Sequence, residues 1–505
     1  MAPERINVSM NRVEGDLEVS VDVDGGVVTD ARCSGTMYRG FEKILKGRGS
    51  YDGLVITPRI CGICSTSHLV AASRALDMIT GVKVPPDAVR IRNIAQMSEH
   101  IQSDVRHGML MFAVDFVNPA YKDHPMFDEA VQRYEPFKGK SIVETIRETK
   151  KVLEIIAIIG GQWPHSSFMV PGGIASIPSK SDLLQCSLLL RQYKAWYEQR
   201  ILGCSIERWR EIRSAADLDA WLEERPEHRE SDLGFYLRFA RSIGLDKTGK
   251  GVGAFLSFGA LELPEGTTVG AAGASSLVPA GFAHAGRVSG FDQAKIAEHV
   301  ASSWYVDYEG GKHPFEGETN PYATGKENEK YSWAKAPRYD NHPAETGPLA
   351  EMVIAGNPLI VSLIDKEGPS TYLRELARLV RPTELMPAME TWLTEINFNS
   401  KYYTLPGEVR TGEGFGLTQA SRGALGHWVK IENDVIRHYQ IITPSAWNFS
   451  PRDSGKRRGP VEEALSGTRI KDMANPVELG HIVRSFDACL VCTVHTARRD
   501  EGHRY

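Results

Sequence analysis

Hydrophobic and polar residues alternate through the first thirty or so positions, "INVSMNRVEGDLEVSVDVDGGVVTDARC", and Asp24-Gly25-Gly26 interrupts the alternation. A period of two broken by a glycine turn predicts a β-hairpin or small sheet. Beyond residue 65 the period lengthens. The run "PPDAVRIRNIAQMSEHIQSDVRHGMLMFAVDF" opens on Pro85, Pro86 and Asp87 and then carries apolar residues at helical spacing, which predicts one long helix. A second helix, "KSIVETIRETKKVLEIIAIIG", should stop at Gly160-Gly161, where a missing Cβ permits a left-handed cap. In a third, "SDLLQCSLLLRQYKAWYEQRILGCSIERWREI", apolar residues nearly encircle the axis, which predicts a central position.

Between about 215 and 350 the chain is richer in Gly, Pro and charge, and loops and small sheets without a catalytic group are expected. Helix resumes at "PSTYLRELARLVRP", and "GHWVKIENDVIRHYQIITPSAW" reads as strands and a hairpin. Asn475-Pro476 should open a short last helix, with Asn as its cap and Pro at its first position, ending just before Ser485. No repeat, low-complexity tract or dividing linker is visible. The expected fold is therefore mainly α (α+β): one unit over residues 1–495, a central bundle of long helices with small peripheral β-sheets.

Composition narrows the function classes. At 505 residues, 42% hydrophobic and 24% charged, the chain can bury a large core. A net charge of -5 gives no sign of a nucleic-acid surface, and Lys456-Arg457-Arg458 reads as solvated loop charge. No run reaches the roughly 18 apolar residues of a membrane helix; the nearest, "VLEIIAIIGG", is short and carries Glu154. The amino terminus lacks the apolar run of a secretory signal, so a cytoplasmic location is expected, with membrane association available through partners. An export signal can also sit on a partner subunit.

The chemistry lies in the cysteines. Seven in a chain of this length make no disulfide scaffold, and Cys33, Cys186 and Cys204 stand apart as structural residues. The other four form two Cys-x-x-Cys pairs, Cys61/Cys64 in "RICGICSTSH" and Cys489/Cys492 in "DACLVC". Gly62 should let the first loop turn so that both sulfurs face one point, and Ser65 or Thr66 can cap the helix that follows. Three readings compete: a redox disulfide, a structural zinc site, and a functional metal centre built from both chain ends. The helical context disfavours the first and the 424 intervening residues the second. Four thiolates would balance two divalent metals and suit nickel and iron, and Arg59 and Arg422 could hold further anionic ligands.

These residues resemble the large, catalytic subunit of nickel–iron hydrogenases over essentially the whole chain. "RICGICSTSH" is similar to the family's amino-terminal nickel motif and "SFDACLVCTVH" to its carboxy-terminal one. The resemblance implies that Cys61, Cys64, Cys489 and Cys492 bind nickel, with Cys64 and Cys492 also bridging to an iron that carries carbon monoxide and two cyanides. It implies Glu14, in "NRVEGDLEV", as the proton gate, and Arg422 over the metals with Cys489 as a proton-accepting base. Ser445 would donate to a cyanide, His68 would serve the bridging Cys64, and Arg59 and Asp487 would complete the surroundings. Glu42, the backbone carbonyl near Ile441, and His495 would hold a magnesium or similar hard cation.

The sequence departs from the family at Asp16 (often His), Ala488 (Pro), Ser103 (Asp) and Ser421 (Pro), none of them a ligand. The implied reaction is reversible heterolysis of dihydrogen, in the uptake direction, with electrons passed to an iron–sulfur small subunit, since no further cysteine cluster remains here. Higher assembly of such heterodimers is expected. The alternatives are a hydrogen sensor of the same family, the related subunit of respiratory complex I, and a zinc-stabilised interaction protein. A nickel-insertion chaperone and a maturation protease are further implied partners, the protease cutting between His495 and Thr496 to remove the tail 496–505.

Overall fold

The computed structural model describes residues 4–271, 273–324 and 329–492, the last by its backbone alone. The amino-terminal alternation forms an antiparallel sheet of β1 (Glu4–Ser9), β2 (Leu17–Asp24) and β3 (Val27–Gly35) in that order. Gly25 and Gly26 form its two-residue turn with φ of 56° and 78°, a left-handed pair that glycine adopts without a Cβ clash. The even-spaced Leu17, Val19, Val21 and Val23 are buried.

Two helices follow that set the frame of the site. Helix α1 (Ser65–Thr80) begins immediately after Cys64, and α2 (Pro86–Arg106) is buried from Asp87 through Val105. The expected continuation of α2 instead tightens and widens in turn, through a π-turn at His107–Phe112 and a 3-10 turn at Ala113–Val117. Close packing accompanies the change: a Cβ on Gly108 would lie 2.5 Å from the Leu379 side chain. Helix α3 (Lys140–Gly160) ends as expected, with Gly161 at φ 79°.

Two expectations are corrected here. Helix α4 (Lys180–Trp196) is peripheral, not central: it buries Leu183, Cys186, Leu190 and Tyr193 and leaves Leu184 61% and Leu188 49% exposed. Apolar residues all round a helix do not say which of them find partners, and α2, with its many polar residues, takes the centre because those residues are paired there. The stretch from 215 also begins with three helices, Ala215–Glu224, Pro226–Glu230 and α5 (Asp232–Ser242). Ser214 and Ser231 cap the first and third by accepting from the amides of Asp217 and Gly234. Strands and loops then follow as expected, led by β4 (Ala254–Glu262) and β5 (Ser276–His284).

Helices α6 (Thr371–Val380) and α7 (Pro382–Glu395) precede a second three-stranded antiparallel sheet, β6 (Gly412–Ala420), β7 (Gly423–Glu432) and β8 (Val435–Ile442). The last two are the expected hairpin. Strand β6 approaches α1 so closely that a Cβ on Gly416 would stand 1.8 Å from the Ala71 carbonyl oxygen, and one on Gly414 2.7 Å from that of Ala75. Helix α8 (Val477–Ser485) forms at the expected place, but Pro476 is its cap residue and the Asn475 side chain instead pairs with Asn118.

The chain's two ends share one apolar cluster: Leu17, Val19 and Val21 of β2 pack with Leu479, Ile482 and Val483 of α8 and with Phe486 and Leu490. Buried Asp115, just past the π-turn, ties them further by pairing with Arg12 and with Arg484. Arg12 also donates to the Met111 carbonyl at 2.6 Å, and Arg484 Nε to that of Asn11 at 3.2 Å. Burial would raise the Asp115 carboxyl, but Arg484, His481 and Arg12 together hold it below its ordinary value.

A group with a depressed folded pKa stabilises the fold above its unfolded pKa and loses that contribution as pH falls through the folded value. Asp115→Asn should therefore cost about 3 kcal/mol at neutral pH, as expected for breaking a buried ion pair from one side. The difference in denaturant midpoint between variant and wild type should close in strong acid. An equal deficit at all pH values would show that the charge of Asp115 contributes nothing.

Candidate metal centre

The first cysteine pair lies in a tight descent from the short helix Gly53–Ile56 through the 3-10 turn Thr57–Arg59 into α1. The Ile63 amide curls back to donate to Cys61 Sγ at 3.3 Å. Gly62 is not in the left-handed region, and a Cβ there would meet Pro164 at an ordinary 3.8 Å, so its conformational freedom is not what converges the sulfurs. Nor do Ser65 and Thr66 cap α1. Buried Glu99, on α2, accepts from the amides of Thr66 at 2.7 Å and Ser67 at 3.0 Å, and from the Ser67 hydroxyl at 2.5 Å. Burial pushes this carboxyl up to about 7 against those bonds.

The second pair is delivered by pairing between the chain ends. Glu14 donates its amide to the Ala488 carbonyl at 3.1 Å and accepts from the Leu490 amide at 2.6 Å, a parallel bridge opposite Cys489. Gly15 makes that approach possible: its φ is 83°, and a Cβ there would lie 2.8 Å from the Val491 nitrogen. The Cys489 amide donates to Ser445 Oγ at 2.9 Å. Arg39 joins both loops, donating to the carbonyls of Ile60 and Arg59 on one side and of Val491 on the other.

As a result the ligand atoms of Cys61, Cys64 and Cys489 all lie within 4.8 Å of one another, each buried. Cys61 Sγ and Cys489 Sγ are 3.6 Å apart. Two thiolates sharing one tetrahedral metal at about 2.3 Å each would stand about 3.7 Å apart, so the spacing fits a common metal. The side chain of Cys492 and the whole of His495 lie outside the described residues.

Arg422 occupies the tip of the β6–β7 hairpin, where Ala420 pairs with Gly423 and leaves a two-residue turn. Its Nε donates to Asp487 Oδ1 at 2.8 Å, while its Nη1 is buried with no hydrogen-bond partner among the described residues. Burial would lower its pKa, but Asp487 and the thiols of Cys489, Cys61 and Cys64 hold it well above the ordinary value. Asp487 also accepts from Arg378 Nη1 at 3.0 Å. Burial would raise its carboxyl, and Arg422, His107 and Arg378 hold it below the ordinary range. The hairpin tip is pinned from behind by Arg381, which donates to the Ser421 carbonyl at 2.7 Å and makes two 2.8 Å bonds to Asp104.

Glu14 is half-buried; burial and the neighbouring Cys61 raise its carboxyl, while Arg422 and Arg39 oppose. Arg59 does not join the group. It is exposed and donates to the Val55 carbonyl one turn back, because the 3-10 turn in which it stands directs its side chain outward. Fully buried His68, one turn into α1, places Nδ1 3.0 Å from His427 Nε2. Glu42 accepts from the Ile441 amide at 3.0 Å and from Thr319, with Lys335 Nζ 3.8 Å away. Lys335 also lies 4.0 Å from Glu298. Burial pushes Glu298 up to about 7, with Lys335 opposing and Glu42 reinforcing. Thr319, Lys335 and Glu298 come from the stretch in which loops and small sheets without a catalytic group are expected.

Comparison with known proteins decides what the cluster is. The nickel-dependent hydrogenase family model matches residues 39–134 and 240–495. The chain belongs to the nickel-dependent hydrogenase family. It is 32% identical, over 98% of its length and 95% of the relative's, to the periplasmic [NiFeSe] hydrogenase large subunit of Desulfomicrobium baculatum. The uptake hydrogenase large subunit of Rhodobacter capsulatus is 29% identical, with coverage of 98% and 95%. The Ni-Fe-Se hydrogenase of D. vulgaris Hildenborough, as isolated and oxidised, superposes with a TM-score of 0.83 at 31% identity, covering 97% of this chain and all of that one.

This hydrogenase is thus the large, catalytic subunit of an enzyme acting on dihydrogen, and a large subunit implies a small one. The family's metal, nickel, resolves the readings that cysteine spacing left open. The expected cytoplasmic location is overturned, because the Desulfomicrobium relative is periplasmic.

The residues that spacing arguments missed are mostly charged groups two steps from the sulfurs: Arg39, Glu99, Arg378, Arg381 and Asp104. One signal was present. Arg374, Arg378 and Arg381 recur at helical spacing in a leucine-rich helix, and buried arginines require carboxylates. For the cysteines, Cys489→Ser should lower nickel content about tenfold or more, as loss of a ligand exceeds loss of a supporting hydrogen bond. Elemental analysis reads this, and an unchanged far-ultraviolet circular dichroism spectrum shows that the near-isosteric variant still folds.

Proposed function

We propose that the cluster holds a nickel–iron centre with carbon monoxide and two cyanides on iron, and that the enzyme works in hydrogen uptake with an iron–sulfur small subunit. The observation that carries this reading is the juxtaposition of three buried sulfurs with a buried cation whose Nη1 has no acceptor among the described residues. Soft thiolates suit nickel and iron, and an orphaned guanidinium N–H suits an anionic ligand such as cyanide. Cys61, Cys64, Cys489 and Cys492 would hold nickel, Cys64 and Cys492 being shared with iron. Bound there, the centre supplies the electron-accepting site at which dihydrogen is polarised and split.

The chain's own groups do the rest. Arg422, fixed through Nε to Asp487, presents a positive charge where negative charge collects. Cys489 stands beside Glu14, whose carboxyl is raised by burial and by Cys61 and so can accept a proton at modest acidity and release it outward. Ser445 Oγ accepts from the Cys489 amide, which leaves its own hydrogen to donate to a cyanide. Glu42, with the Ile441 backbone beside it, and His495 would take a hard cation such as magnesium, the buried carboxylate of Glu42 supplying the oxygen such a cation prefers.

Removal of residues 496–505 by a maturation protease, after nickel insertion by chaperones, follows from the same reading. The family match ends at His495, the residue after which cleavage is proposed.

Two measurements test this. The purified complex should contain nickel and iron and show infrared bands of metal-bound carbon monoxide and cyanide while oxidising hydrogen with an added acceptor. A processed complex with zinc in place of nickel and no such bands would sink the proposal, and slow turnover on a bound signalling partner would redirect it to a sensor. Intact-mass analysis of the active subunit should end at His495; an active subunit that retains Tyr505 would show that the tail is not a maturation peptide.

A further inference from the structure

A hydrogen-bonded chain begins at His68, one turn beyond Cys64 in α1. His68 Nδ1 lies 3.0 Å from His427 Nε2, and His427 Nδ1 lies 2.9 Å from the Tyr439 hydroxyl. His68 and His427 are fully buried and Tyr439 is 4% exposed. Three elements meet here: α1 supplies His68, β7 His427 and β8 Tyr439, and the glycine face of β6 brings α1 down onto the sheet.

We propose that Tyr439 is a positioning residue that fixes the tautomer of His68 through His427. A neutral imidazole has one donor nitrogen and one acceptor, so a chain of two histidines and a phenol can be ordered in only two ways. If Tyr439 donates to His427 Nδ1, then His427 Nε2–H donates to His68 Nδ1, and His68 carries its remaining hydrogen on Nε2. If the order is reversed, His427 Nδ1–H donates to the phenol oxygen, His68 Nδ1–H donates to His427, and Nε2 of His68 is left with a lone pair. Burial raises the Tyr439 phenol well above its ordinary value, so it keeps its hydrogen and can start the first order. A thiolate has no hydrogen to give, so a histidine that serves one must present a hydrogen itself. Only the first order provides this. The inference rests on the proposed centre, in which His68 serves the bridging Cys64.

Removing the phenol hydroxyl leaves His427 Nδ1 without its donor and releases the bias on both rings. The bridging sulfur then receives a weaker hydrogen bond and donates more charge to iron. In the fully loaded heterodimer, Tyr439→Phe should therefore shift the carbon monoxide and cyanide bands to lower wavenumber while leaving metal content unchanged. His427→Leu, which breaks the chain one link nearer, should shift them the same way. His427→Gln should keep them near the wild-type positions, because its amide oxygen can accept from Tyr439 and its nitrogen donate to His68 with much the spacing of the two ring nitrogens. Wild-type bands in Tyr439→Phe, or a shift in His427→Gln as large as in Tyr439→Phe, would overturn the inference while the centre stands. Absence of bands from the wild type would overturn the centre and this inference together.

Discussion

Everything at the metal centre depends on the closure of the two chain ends on each other. Cys489 reaches Cys61 because the strand-like segment at Glu14 lays two backbone hydrogen bonds against Ala488 and Leu490. The entropy of closing so long a loop grows only logarithmically with its length, so the separation in sequence is a modest obstacle. Local fit is the larger demand. Here it is met by one shared apolar cluster, by the Asp115 pairs with Arg12 and Arg484, and by Arg39 bonded to both cysteine loops. Of these, the Arg484–Asp115 pair, the bond of Arg39 to Val491 and the Glu14 bridge need the carboxy-terminal segment in place. An open terminus would cost Asp115 its Arg484, Arg39 its bond to Val491 and Glu14 its backbone bridge, so seating of the segment and completion of the thiolate cluster are one event.

The second constraint is electrostatic. Thiolates in a dry interior are costly unless positive charge stands near them, and a buried arginine is equally costly without a carboxylate. The molecule resolves both demands with one connected array. Arg422 faces the sulfurs and shares Asp487 with Arg378, while Arg381 divides its guanidinium between Asp104 and Glu351. Removing any single member strands a partner. That explains why Asp104 matters although the residue expected to carry a carboxylate beside the metals, Ser103, has none: the neighbouring position supplies the charge to the arginine that pins the Arg422 hairpin.

Sequence patterns anticipated the parts of this arrangement that depend on neighbours along the chain. The β2–β3 turn, the end of α3 and the β7–β8 hairpin formed where glycine placement and periodicity put them. The cysteine motifs pointed to four candidate ligands, and three of the four are brought together within the described residues. What was misread depended on tertiary partners. Helix α2 holds the central place expected of α4 because burial of its Arg90, Glu99 and Asp104 is offset by ion pairs and backbone bonds that no periodicity reports. Strand β6 was invisible because Gly412, Gly414 and Gly416 lower its strand propensity, and their reason is a helix more than three hundred residues away. Arg59 and the Ser65 or Thr66 cap failed for the opposite reason: each has a suitable side chain beside the motif, yet Arg59 turns to the Val55 carbonyl and the distant Glu99 takes the first amides of α1.

The same glycine face explains how two unrelated tasks come to be carried by one sheet. A side chain at Gly414 or Gly416 would lift α1, and with it Cys64 and His68, away from β7. Because α1 lies flat, the hairpin that ends in Arg422 beside the sulfurs also carries His427 to within hydrogen-bond distance of His68. The position of the guanidinium and the orientation of the imidazole are therefore not independent. Displacing β6 would move the cation and the histidine's donor together, whereas a change confined to Tyr439 touches the histidine alone. A site whose geometry must be held to fractions of an ångström gains from this arrangement, since a single rigid sheet, anchored by Arg381 at its tip and packed against α1 along its face, sets both.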